Sequence, residues 1–237
     1  MKSKTYRFPA PQIDIRSFRL KRINEPEYRH MWLLLFWPVF AFRYLLIERI
    51  EPIGQYHLIH CTLDDRIPFQ ELFLIPYALW YVCIIGMHLY TMVYDVAAFK
   101  KYTKFLVISI TASTTIFILY PSYQELRPVV FPRDNVLTDI VGMIYQIDTN
   151  TNIFPSEHAI GAIAVFCVSC HTKGLHSPLK TTMIGILTVL ICLSTVFLKQ
   201  HSILDVAAAL PVCMVAYAAC YGKEQIRKRQ AKVKYAC

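Results

Sequence analysis

Charge is scarce in this chain. Only 17% of its 237 residues are Asp, Glu, Lys or Arg, against about 25% in a soluble domain. With 55% hydrophobic residues and a mean hydropathy of +0.38, that scarcity excludes an ordinary soluble domain. Glycine is also sparse, with 7 residues, while aromatics reach 14%, a balance that suits a helical bundle with interfacial aromatic belts. The first thirty residues lack an apolar core, so no cleavable signal peptide is expected. No internal repeat or low-complexity tract is present. The length leaves room for one membrane domain and no second large globular one.

The formal charge is +9, but the basic residues gather at the two ends and in short loops between apolar runs. That placement fits topology signals and anionic head groups, and no nucleic-acid partner is expected. Eight cysteines do not make a disulfide framework here. Cys83, Cys167, Cys170, Cys192, Cys213 and Cys220 lie inside apolar runs, where they read as small hydrophobes. For the same reason Cys167-x-x-Cys170-His171 is a poor zinc site, and His57, His60 and Cys61 have no further ligand at matching spacing. No metal or cofactor is expected.

Six apolar runs follow one another, at residues 31–47, 72–93, 105–120, 159–170, 181–198 and 203–221. They predict an all-α polytopic membrane protein with six transmembrane helices. A basic arm (1–30) precedes the membrane domain (31–222) and a basic tail (223–237) follows it. The arm, with Ile13, Ile15, Phe18, Leu20 and Ile23 among its basic residues, reads either as a helix lying on the membrane surface or as a plain cytoplasmic extension. Arg43 lies near one end of the first run, close enough to snorkel. The fourth run has only twelve residues and needs its polar ends buried or wet. The long connection at 121–156 is of a length usually functional or disordered. Nineteen Lys and Arg fall on one side: eight in the arm, three after the second run, two after the fourth and six in the tail. Five fall on the other. This asymmetry places both termini in the cytoplasm of a multi-pass cell-membrane protein.

In that topology Arg127, His158 and the His201–Asp205 pair all face one leaflet from different segments, although these three are far apart in sequence. Ionisable groups at such a depth are functional candidates. His201 and Asp205 are four residues apart, one turn along a helix face, where a carboxylate orients an imidazole. Ser156, after Pro155, is placed to cap the fourth helix, whose free amides make a phosphate seat. Arg127 offers a planar fork for phosphate oxygens, His201 a nucleophile and His158 a proton donor. The alternative is that an interfacial histidine is simply a packing residue, with Asp205 satisfying it. His88 and Asp95, seven residues apart, read as packing or interface residues.

Arg127-Pro128, Pro155-Ser156-Glu157-His158 and Ser194…His201…Asp205 resemble, in order and spacing, the three motifs of the type 2 phosphatidic acid phosphatase (PAP2) superfamily, over roughly residues 105–215. The resemblance implies a PAP2-type helical bundle with His201 as nucleophile, Asp205 activating it and His158 protonating the leaving group. It also implies phosphate contacts from Arg127 and Ser156. Three positions depart from the pattern: Tyr120 stands where a lysine is usual, Thr195 where an arginine is usual, and Glu157 where glycine or an apolar residue is usual. Arg133 and Lys199 are candidates to replace the lost charge. Fewer cations resemble the branch of inositol phosphorylceramide and sphingomyelin synthases.

The expected function is a lipid phosphatase acting at the extracytoplasmic leaflet through a phosphohistidine, without metal, on a lipid phosphate among membrane lipids. The alternatives are a lipid phosphotransferase of the synthase kind and a non-enzymatic membrane binding or transport protein.

Overall fold

The computed structural model describes residues 9–49 and 54–234. Five of its helical segments are long and apolar enough to cross a membrane: Arg29–Ile47, Glu71–Tyr94, Val96–Leu119, Pro178–Phe197 and Ile203–Ile226. The first begins as a 3-10 helix, Arg29–Leu35, and continues as α1, Phe36–Ile47. Pro38 falls in the first turn of α1, where its missing N–H removes no intrahelical bond. Between α1 and the next long helix lie β1 (His57–Leu58) and the short α2 (Thr62–Arg66).

Helices α3 (Leu74–Tyr94) and α4 (Val96–Leu119) are separated by Asp95 alone. The lysine-rich stretch expected there as a loop is therefore the first turns of α4. Asp95 makes this abrupt junction by accepting from Ala98 N at 3.1 Å and from Lys173 N at 3.0 Å. The lysines reach along the helix end, Lys101 to Glu224 at 2.6 Å and Lys104 to the Ala219 carbonyl at 3.2 Å. The long connection is structured too. It holds β2 (Ser122–Tyr123), which pairs in parallel with β1, and α5 (Val136–Ile147), started by an Asn135–Thr138 capping box.

The fourth apolar run becomes α6, Glu157–Ser169. Its 13 residues rise about 20 Å, short of a hydrocarbon core of about 30 Å. It is instead the central helix, packed against α3, α4, α7 (Pro178–Phe197) and α8 (Ile203–Lys234). Close packing follows from its small residues. A Cβ on Gly161 would stand 2.7 Å from Trp80 Nε1 and 2.8 Å from Ile84 Cδ1. Ala159, Ile160, Ala162, Ala164, Val165 and Val168 are all buried.

Among its described residues, 9–30, the arm contains short 3-10 turns, Ile15–Ser17 and Leu20–Arg22, rather than a surface helix. Ile13, Tyr28 and Met31 pack on Met92 and Phe99, and Gln12 N donates to the Val93 carbonyl at 2.8 Å. The arm thus docks on the α3–α4 corner.

Candidate active site

The turn between α7 and α8 carries the site. Lys199 takes a left-handed backbone, φ 54°, which lets the amides of Gln200 and His201 both return to the Thr195 carbonyl, at 2.9 and 3.1 Å. His201 therefore lies just before α8 rather than on it. Asp205, in the first turn of α8, reaches back so that its Oδ2 faces His201 Nδ1 at 3.2 Å and accepts from Ser202 N at 2.8 Å. Asp205 is wholly buried and its Oδ1 has no partner. A carboxylate so placed fixes the imidazole tautomer with Nε2 left outward.

A second carboxylate holds the same turn. Asp64, from α2, accepts from Ser202 Oγ at 2.6 Å, from Ile203 N at 2.9 Å and from Cys61 N at 2.9 Å. Burial alone would raise its pKa, but these bonds outweigh it and hold the carboxyl below its ordinary value. Nothing in the sequence marked Asp64, because Ser202 and Ile203 are more than 130 residues away.

His158 sits in the first turn of α6. Its ring lies 5.7 Å from that of His201, centroid to centroid, and packs between Tyr77 at 4.9 Å and Trp80 at 4.7 Å. Trp80 Nε1 also donates to the His158 carbonyl at 2.9 Å. Ser156 caps α6 by accepting from Ala159 N at 3.3 Å, and its own amide donates to the Asp205 carbonyl at 3.0 Å. One cap thereby ties the helix of one histidine to the helix behind the other.

Both histidines open on a small cleft of about 60 Å³ whose walls include Arg43, Glu157, Asp148, Glu48 and Gln200. Arg127 and Ser156 stand behind this wall. The Arg127 fork donates to the carbonyls of Tyr145 (2.9 Å), Asp148 (2.7 Å) and Thr149 (2.8 Å) and to Gln200 Oε1 (2.6 Å). Burial lowers its pKa, opposed by Asp148, and a guanidinium stays charged through such a shift. The amide of Gln200, 2% exposed, is fixed by that contact, and its Nε2 is unpartnered. Gln200 is a site residue that sequence reasoning passed over, though its place beside His201 was a signal.

The two candidates for compensating charge point elsewhere. Arg133 pairs with Glu71 at 2.5 Å, and Lys199 Nζ donates to the Asp64 carbonyl at 2.7 Å. His57 stacks on Tyr120 at 4.0 Å, and His60 meets Asp65 at 2.8 Å. His88 does not line the cleft and lies between α1 and α4, stacked on Phe36 with Trp37 edge-on and Tyr102 tilted against it.

The family model described as the PAP2 superfamily matches residues 101–229. That match covers α6, α7 and most of α8, with both histidines and Asp205. It excludes Arg43, Glu48 and Asp64. Among curated proteins and solved structures, nothing matches the chain.

Proposed function

We propose that this chain, which belongs to the PAP2 superfamily, is a membrane lipid phosphatase working through a phosphohistidine. One observation carries the reading: an imidazole backed by a buried carboxylate, His201 with Asp205, shares a cleft with a second imidazole 5.7 Å away. In the proposed step His201 Nε2 attacks phosphorus while the bond to the lipid oxygen breaks. His158 gives that oxygen its proton. Water, deprotonated by His158, then cleaves the N–P bond and releases phosphate. Asp205 stabilises the cationic ring throughout. No step is assigned to a metal, and phosphate release in the presence of a chelator tests that.

The proposed setting is a six-span bundle in which α6 counts as a short span between the basic arm (1–30) and tail (223–237). Both termini are cytoplasmic and the histidines face the extracytoplasmic leaflet. The lysine and arginine asymmetry supports this topology. His201→Ala and His158→Ala should each abolish phosphate release from a lipid phosphate while the protein stays folded in detergent. Normal turnover by either sinks the assignment. Trapping of labelled phosphate on His201 separates an enzyme from a binding or transport protein.

A second reading, transfer of a phospho-head group between lipids as in the synthase-like branch, is favoured by the charges of the cleft. Glu48, Asp148 and Glu157 line it against one cation, Arg43. Burial raises the Glu48 carboxyl, yet the surplus of acids still repels a dianionic monoester more than a monoanionic diester. Product identity decides: free phosphate alone supports hydrolysis, and a new phospholipid formed with an added lipid alcohol supports transfer.

A further inference from the structure

The resemblance leaves the site short of two cations, and the structure shows that neither replaced position reaches the cleft. Tyr120 stacks on His57. Thr195 is wholly buried and its hydroxyl donates to the Cys192 carbonyl at 2.8 Å. The cation that does line the cleft comes from α1, outside the segment the family model matches.

Arg43 is held from several sides. Its Nη2 meets Glu157 Oε2 at 2.6 Å, its Nη1 donates to Thr114 Oγ1 at 3.2 Å, and its guanidinium lies 4.8 Å over the Phe40 ring. The other oxygen of Glu157 accepts from Ser113 Oγ at 2.6 Å. The fork is thereby locked in one plane, yet its Nε is buried and has no partner. As a structural device this arrangement is poor. A half-buried ion pair between spans contributes little over well-packed apolar residues, because both charges lose their hydration, and an unspent buried N–H adds to the cost. As a receptor for phosphate oxygens it is better built, since the fork is preorganised at the wall of the cleft.

We propose that Arg43 is the phosphate-binding cation of this site and that Glu157, the residue which departs from the family pattern, holds it in place and sets its charge preference. The proposal rests on the phosphoryl-transfer reading above. Arg43 donates to non-bridging oxygens of the phosphate between His158 and His201. Because Glu157 cancels much of its charge, the seat suits a singly charged phosphodiester better than a dianionic monoester. Arg43 and Glu157 together then account for the departures at residues 120, 157 and 195.

The test uses the full chain in detergent micelles, with kinetics of phosphate or head-group release for wild type, Arg43→Ala, Arg43→Lys, Glu157→Ala and the Arg43→Ala/Glu157→Ala pair. Arg43→Ala should lower kcat/KM about 100-fold, mostly through KM, and Arg43→Lys should recover part of it. The double variant should stay as impaired as Arg43→Ala. If it returns to wild-type kinetics, Arg43 only neutralises Glu157 and the proposal fails. Inhibition by inorganic phosphate serves where the alanine variants do not fold. Arg43→Lys should weaken it about tenfold and Glu157→Gln strengthen it by a similar factor, and no change in either overturns the proposal. A wild-type protein no more active than His201→Ala would instead sink the underlying reading.

Discussion

Exchanging Asp64 for asparagine keeps the shape of the side chain and removes its charge, at a point beside the His201 turn but outside the family match. Asp64 takes three N–H or O–H donors, from Ser202 Oγ, Ile203 N and Cys61 N. Hydrogen bonds to a charged acceptor contribute about 1.5–3 kcal/mol each. An asparagine retains one oxygen and turns its NH₂ toward a donor. About 3 kcal/mol of stability should therefore be lost, and Asp64→Ala should lose more. The activity effect acts through geometry. Ser202 is gripped by Asp64 on its hydroxyl and Asp205 on its amide, so slackening one grip lets His201 drift. A displacement of about 1 Å costs about 100-fold in rate. The assay is steady-state phosphate release beside thermal melts in the same detergent. Asp64→Asn should lower kcat between about 10- and 100-fold with KM changed less than about threefold. A variant with wild-type kcat and melting temperature refutes the positioning role.

The same residue gives a pH signature. The Asp64 carboxyl is below its ordinary pKa in the folded state, so its contribution is complete above the unfolded value of about 3.9 and is lost as pH falls through the lower folded one. Melting difference between wild type and Asp64→Asn should be flat from neutral pH to about pH 5 and shrink below about pH 4. Arg127→Lys removes a fork that holds three carbonyls and Gln200. It should cost about 2–4 kcal/mol, read by denaturation in detergent. Gly161→Ala would drive a methyl into Trp80 and Ile84 and should destabilise by about 1–3 kcal/mol. Gly86→Ala meets nothing within 4 Å and should be neutral or stabilise by up to about 1 kcal/mol, measured in the same melts.

The long apolar helices were legible because hydropathy over about twenty residues is a local property. What sequence misplaced was the α3–α4 boundary. Lys100, Lys101 and Lys104 read as loop, but long cationic stems lie along a helix end, and a single carboxylate, Asp95, suffices to end one helix and cap the next. In the arm, alternating apolar and basic residues left a surface helix and a plain extension both open, and no local pattern shows that Ile13, Tyr28 and Met31 find a buried seat on the bundle. At the site, His201 with Asp205 was readable from spacing, and His158 from the topology that brings it alongside. Arg43 with Glu157 and Asp64 with Ser202 were not readable, because these pairs join residues more than a hundred positions apart. Neither partner has a local pattern that announces the other.

The clamp of Asp64 on Ser202 and Ile203 also orders events during biosynthesis. Synthesis runs from the N-terminus, so Asp64 leaves the ribosome well before the turn that it holds. Until that turn arrives, the acceptors Asp64 offers to Ser202 and Ile203 are left to water. Arrival of α8 brings His201, Ser202 and Asp205 at once. The α2 carboxylate is exchanged from water to the new turn in the same event that seats His201. A chain that has not yet made the turn before α8 therefore lacks the histidine pair. Docking of α8 and assembly of the candidate site are a single step.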